Sequence, residues 1–280
     1  MQVRCWGGRG SVPVSGDEYR RFGGDTTCVE VRGHDGQAVI IDAGTGIRRL
    51  GLRLQSERSA EINLLFTHAH WDHLMGFPFF QPLYESGRAI RVFGCPCAQD
   101  SVREMVSESM EPPHFPIPLH EVGADLTFRA ECSKPFEVGG LIVTPFPLSH
   151  PNGGLGYAFA ESGRRFVFLT DNELGFRHPG GLAFEDYVGF CSGADLLFHD
   201  AQFRPEEYDR RRGWGHSTCA EAVDLALEAN VKRLGLIHHD PQRTDDQVDA
   251  IVAECRDRLA QGAAVQECFA VAQGMALCIP

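Results

Sequence analysis

Leu64-Leu65-Phe66-Thr67-His68-Ala69-His70-Trp71-Asp72-His73-Leu74-Met75-Gly76 is the stretch from which the rest of the chain can be read. Three apolar residues run into a threonine, then into three histidines and an aspartate within six positions. An apolar run that meets a polar cluster reads as a buried strand ending at a site. Residues two apart in a strand point to one side, so His68 and His70 can share one metal ion. Trp71-Asp-His-Leu-Met then looks like a helix start, where free N–H groups and partial positive charge suit Asp72. Imidazoles and a carboxylate suit zinc and related divalent ions. The plain alternative is a set of surface polar residues capping a strand, and the density of the motif outweighs it.

Working outward, 280 residues allow one large domain or two small ones. With 43% hydrophobic and 23% charged residues, the chain has the means for a sizeable core. A net charge of −12 gives no global basic footprint and argues against a broad, non-specific nucleic-acid binder, though not against a small phosphate substrate held by metals. The N-terminal MQVRCWGGRGSVPV has no apolar core or cleavage pattern of a signal peptide. No apolar run approaches the ~20 residues of a membrane helix. Ten cysteines are scattered, several in apolar runs, and reduced thiols in a cytoplasmic protein are the expectation. Cys95-Pro-Cys97 is too close for a CxxC metal knuckle and reads as structural.

Gln2–Trp6, Thr26–Val31 and Ala38–Ile41 read as strands, and Ile47–Leu54 as a helix. Gly7-Gly-Arg-Gly-Ser11 lacks the Lys and Ser/Thr of a P-loop and reads as a flexible turn close to the site. Further strands are predicted at Ala89–Phe93, Leu126–Arg129, Leu141–Pro145, Tyr157–Ala160, Arg165–Leu169 and Val231–Ile237. Helices are predicted at Ser101–Met110, Ser217–Ala229 and Thr244–Leu259, with Thr244 as N-cap. Glu111-Pro-Pro-His-Phe-Pro-Ile-Pro-Leu119 contains four prolines, which preclude a regular helix or central strand. The segment 95–119 is expected to be a cap or a subunit contact, with His114 and Phe115 either facing substrate or packing in the loop. No sequence repeat or linker divides the chain, so a single domain over 1–280 is the simplest organisation.

His68-Ala-His70-Trp-Asp72-His73 matches an HxHxDH signature, and the chain resembles the metallo-β-lactamase superfamily. The resemblance implies an αββα sandwich, an α/β (α+β) fold of two mixed sheets with helices outside and metals at one edge. It assigns His68, His70 and His150 to one metal, Asp72, His73 and His238 to a second, and Asp171 as the bridge. It chooses His238 over His239 because His238 directly follows Leu-Gly-Leu-Ile. Asp42 matches an aspartate that orients the metal site; a turn aspartate capping the next helix is the alternative, and both can hold. Two divalent ions, zinc first with manganese or iron as options, suit hydrolysis. The missing carboxylate at the second histidine place disfavours redox chemistry.

Two later segments narrow the resemblance. Ala194–Phe203 and Gly215-His216-Ser-Thr are similar to the tRNase Z branch, in which the histidine assists leaving-group protonation and a carboxylate orients it. Here those places are His216 and Asp200, with Asp where that branch has Glu. N-terminal Gly-Gly-Asp-Thr-Thr and the proline segment look like small-molecule phosphodiesterases of the same fold. The expectation is a metal-dependent hydrolase of a small, including cyclic, phosphodiester. A metal-bridged hydroxide hydrogen-bonded by Asp72 would attack, and His216 with Asp200 would protonate the leaving group. The alternatives are an RNA 3′-processing endonuclease and a non-catalytic metal-bound module. Extended nucleic acid and membrane are not expected partners; a homodimer is left open.

Overall fold

In the computed structural model, residues 1–57, 61–95, 101–260 and 265–280 are described. The first half contributes β1 (Gln2–Gly7), β2 (Cys28–Arg32), β3 (Ala38–Ile41), α1 (Ile47–Ser56), β4 (Glu61–Leu65), α2 (Trp71–Leu74), β5 (Ala89–Gly94), α3 (Val102–Glu108) and β6 (Asp125–Ala130). The second contributes β7 (Phe136–Val138), β8 (Leu141–Pro147), β9 (Leu155–Glu161), β10 (Arg164–Leu169), α4 (Phe184–Cys191), β11 (Leu196–Asp200), α5 (Pro205–Tyr208), α6 (Cys219–Glu228), β12 (Arg233–Ile237), α7 (Asp245–Leu259) and β13 (Glu267–Ala270). A last strand, β14 (Ala276–Cys278), returns to β1.

These form two seven-stranded sheets, ordered β14-β1-β2-β3-β4-β5-β6 and β13-β12-β11-β10-β9-β8-β7. Each sheet is antiparallel on one side and parallel on the other, with the change at β3 and β10. The two halves thus repeat one connection pattern that no sequence repeat announces.

The alternation of β3 explains the layering. Val39 and Ile41 join the apolar layer between the sheets, with Phe159, Phe166 and Phe198 from the opposite sheet. Ala38 and Ile40 face outward onto Ile47, Leu50 and Leu54 of α1. A strand buried on both faces has no polar side, which is why β3 reads as the unbroken run Ala-Val-Ile-Ile. On the other outer face, α4, α6 and α7 pack through Phe190, Val223, Ala226, Val248 and Val252. The result is the expected αββα sandwich.

Most predicted elements hold to within two residues. Thr244 Oγ1 accepts from Gln247 N at the head of α7 as its cap. Strands β7, β13 and β14 and helices α4 and α5 were not anticipated. All of these but α4 have only three or four residues, too few to display a period.

The expectation of reduced thiols is corrected at one place: Cys95 and Cys132 are disulfide-bonded. Parallel register puts Gly94 beside Ala130 and carries the two chains side by side past the strand ends. Seven other described cysteines are free, six of them buried. Residues 96–100 of the expected cap, Cys97 included, lie outside the described residues. The rest of that segment forms part of the outer layer. Val102, Met105, Val106, Met110 and Leu119 are buried with Phe66 and Leu74, and Phe115 meets Phe79 edge-on at 5.6 Å. Phe115 therefore packs, whereas His114 lines a cleft of about 210 Å³ beside Ala69, Trp71 and Leu74. Among the described residues no helix is long and apolar enough to cross a membrane.

Candidate metal centre

Strands β3, β4, β8, β10, β11 and β12 all end toward one edge of the sandwich, and the polar residues just beyond them converge. Three of those residues sit in the left-handed backbone region: Asp42 (φ 61°), Asp171 (φ 52°) and His238 (φ 62°). Non-glycine residues hold such a conformation at a cost of about 1–3 kcal/mol each, which the surrounding packing has to offset. The sharp turn there aims the side chain across the sheet edge instead of along it.

Two groups of potential ligands result, each with ligand atoms within 4.8 Å of one another. His68, His70, His150 and Asp171 form one; Asp72, His73, Asp171 and His238 form the other. Asp171 belongs to both. Its Oδ2 lies 3.6 Å from His68 Nε2 and 3.8 Å from His150 Nε2, and its Oδ1 lies 3.3 Å from His73 Nε2 and 3.2 Å from His238 Nε2. Asp72 Oδ2 is 3.0 Å from His238 Nε2 and 3.4 Å from His73 Nε2. A third group joins Asp171, Asp200, His216 and His238.

The imidazoles are oriented from behind. His73 Nδ1 donates to Asp42 Oδ2 (2.7 Å), and His68 Nδ1 donates to Thr67 Oγ1 (3.0 Å), whose own proton goes to Asp42 (2.8 Å). His150 Nδ1 donates to the Gly215 carbonyl (2.9 Å) and His238 Nδ1 to Gln202 Oε1 (2.8 Å). With Nδ1 engaged on each, Nε2 is the ring atom that faces inward, the orientation that metal ligation requires. The buried Nε2 atoms of His68 and His73 have no hydrogen-bond partner. Buried polar atoms are normally satisfied, so two orphans aimed at one carboxylate fit a cation between them. Asp42 orients the cluster; its reach goes past the turn that the sequence also allowed.

Electrostatics divide the cluster. Burial lowers His68 well below the usual imidazole range, with His73 adding to it, and takes His150 down to about 4. Burial opposes charge on His73 and His238 too, but the carboxylates override it. Asp72, Asp171 and Asp42 hold His73 well above its usual range, and Asp171 with Asp72 raises His238 to about 9. Burial likewise opposes ionisation of Asp171 and Asp72, yet the histidines keep both well below the carboxylate range. Two ionised carboxylates among imidazoles form a cavity that favours positive charge.

His216 stands at the edge of this cluster. Its Nδ1 donates to Asp200 Oδ2 at 2.7 Å, so the shorter Asp arm closes the pair. Asp200 Oδ1 accepts from Gln202 N at 3.0 Å. The His216 ring stacks on His238, centroids 4.9 Å apart. His239 is turned away and donates from Nε2 to the Val271 carbonyl (3.0 Å).

The glycine loop after β1 is part of the wall. Ser11 N donates to Asp72 Oδ2 (2.7 Å), and a Cβ on Gly10 would overlap the His238 ring. Buried Arg9 anchors the loop by donating to the carbonyls of Gly23, Asp240 and Arg243.

Glu173 has the same kind of role and went unread in the sequence. Its Oε1 accepts from Tyr208 Oη and Gly213 N, and its Oε2 from Gly215 N, each at 2.7 Å, while His178 Nε2 donates at 2.8 Å. It thereby fixes the loop whose Gly215 carbonyl holds His150 and whose next residue is His216. Gly215 (φ 93°) lies so close to His150 that a Cβ would overlap the ring. Gln202 went unread as well.

Residues 37–239 match the model of the beta-lactamase superfamily domain, more than half of the chain. The chain belongs to the metallo-β-lactamase superfamily. Within that superfamily it is 28% identical over 285 residues to a ribonuclease Z of Haloferax volcanii, covering 85% of this chain and 84% of that protein. A ribonuclease Z of Myxococcus xanthus is 26% identical over 264 residues, covering 78% and 82%. Among solved structures, a diphosphatase from the PhnP family superposes with a TM-score of 0.69 at 20% identity, covering 100% of this chain and 98% of that one. Human tRNase Z, short form, gives 0.66 at 21% identity with complete coverage of both. The superfamily fold and the His/Asp cluster together imply divalent metal and metal-dependent hydrolysis.

Proposed function

We propose that the chain is a phosphoric diester hydrolase with two divalent cations, zinc first among them, sharing Asp171. The observation that carries this reading is the His216–Asp200 pair at 2.7 Å, set beside the two ligand groups. A thiolate departs without a proton, so thioester hydrolysis has no need of a separate proton donor of this kind.

His68, His70 and His150 would hold one cation, and Asp72, His73 and His238 the other, with Asp171 between them. When bound, such a pair lowers the pKa of a shared water and neutralises charge on phosphoryl oxygens. The protein's share is positional. Asp72, held by Ser11 N, accepts a hydrogen bond from the attacking water and orients it. Asp200, accepting from His216 Nδ1, sets the ring so that its opposite nitrogen turns to the departing oxygen, and the imidazolium form gives its proton there as the P–O bond breaks. We take the whole chain as one domain in which the segment 101–119 narrows approach past Trp71 and favours a small diester.

A second reading, RNA 3′ processing, is supported by the ribonuclease Z relatives, which weigh against the expectation that nucleic acid is not a partner. The test is turnover of bis-p-nitrophenyl phosphate, cyclic nucleotides and pre-tRNA, beside a lactone and a thioester, with zinc, manganese or iron restored after chelation. Diester cleavage that vanishes on chelation is expected, and turnover of only the lactone or thioester would overturn it. Efficient pre-tRNA cleavage without small-diester turnover selects the second reading.

Glu173→Gln puts an amide N–H where four donors point. It is expected to weaken metal retention and turnover by about 10–100-fold, the scale for groups that orient ligands. Metal titration beside single-turnover rates checks this, and Glu173→Asp should recover part of the loss.

A further inference from the structure

The loop that delivers His216 has an outer face. Residues 208–214 read Tyr-Asp-Arg-Arg-Arg-Gly-Trp, three arginines and a tryptophan in a chain of net charge −12. Arg211 is turned to Glu207 (3.3 Å) and Asp240 (3.7 Å). Arg210 and Arg212 are exposed and form no ion pair among the described residues. Trp214 is 60% exposed and Phe176 37%.

These side chains belong to the same framework as the site. The Arg212 guanidinium lies 5.6 Å from the Phe176 ring centre, and Phe176 meets His178 edge-on at 4.8 Å. His178 donates to Glu173, which holds Gly213 and Gly215, and Gly215 touches the His150 ring. Trp214 is therefore one residue from a backbone that rests on a proposed metal ligand.

An exposed aromatic face beside unpaired arginines is the chemistry of single-stranded nucleic-acid binding, where bases stack and cations track the phosphates. A diester without a base would have no use for the aromatic face. We infer that Trp214, Phe176, Arg210 and Arg212 form a nucleotide subsite beside the hydrolytic centre. The base next to the scissile phosphate stacks on Trp214, and the following phosphate lies against Arg210 and Arg212. This rests on the diester-hydrolase reading and extends its substrate to a short single strand.

The test has a binding arm and a turnover arm. In the first, a fluorescein-labelled RNA trinucleotide is titrated against the metal-loaded chain at several salt concentrations. Trp214→Ala should weaken binding by about 5–100-fold, the range for one stacked base. The double variant Arg210→Ala/Arg212→Ala should lower the salt slope by about 0.7 per lost phosphate contact. In the second, Trp214→Ala should raise KM for thymidine 5′-p-nitrophenyl phosphate at least fivefold relative to KM for methyl p-nitrophenyl phosphate. Unchanged trinucleotide binding, or an equal KM change on both diesters, overturns the subsite even if diesters are hydrolysed. Trp214-dependent binding without any diester turnover upholds the subsite and overturns the hydrolase reading instead.

Discussion

Asp171→Ala is expected to abolish metal retention and diester turnover together, with a rate loss of about 10³-fold or more. Two cations held as proposed would supply several kcal/mol of transition-state stabilisation, and each would depend on this carboxylate. Four imidazole Nε2 atoms lie between 3.2 and 3.8 Å from its two oxygens. Because Asp171 adopts φ 52°, alanine adds backbone strain of its own. Asp171→Asn separates the two effects: asparagine tolerates the left-handed conformation and keeps the shape but removes the charge. It should fold with an unchanged melting profile when metal-free and still fail to hold two ions. A variant that keeps both ions would contradict the bridging role.

His216→Ala is expected to keep the metal and lose about 10²–10⁴-fold in rate, the usual scale for a general acid. The loss should be largest for an alkoxide leaving group such as a ribose hydroxyl. It should shrink for p-nitrophenolate, which scarcely needs a proton. An equal loss on both substrates would point to phosphate binding. Loss of metal would make His216 a ligand, the role that the group of Asp171, Asp200, His216 and His238 leaves open. Fold integrity is protected here, since Thr218, which caps α6 through Glu221 N, stays in place.

How much of this was legible in the sequence follows from the range of the forces involved. Phe66-Thr-His68-Ala-His70 could be read because a buried strand and its ligands are continuous in the chain, and period two fixes which residues share a side. The recurrence of His or Asp after apolar runs at 150, 171, 200 and 238 carried the same local signal four more times. Glu173 carried none. Its partners Tyr208, Gly213 and Gly215 are 35 to 42 residues away, and only the packing of two loops makes its carboxylate a hub. Gln202, which turns His238, and Ser11, whose N–H steadies Asp72, are silent for the same reason. The Cys95–Cys132 bond needed the parallel register of β5 and β6, which composition does not report. Gly7–Ser11 showed its glycines but not their use: Gly10 is the surface on which the His238 ring lies.

Elemental analysis of the chain, loaded to saturation and freed of loosely bound metal, tests the central claim most directly. Two ions per chain are predicted, falling to one or none in His73→Ala. A saturated count of one or zero, or two ions retained after His73→Ala, would contradict it.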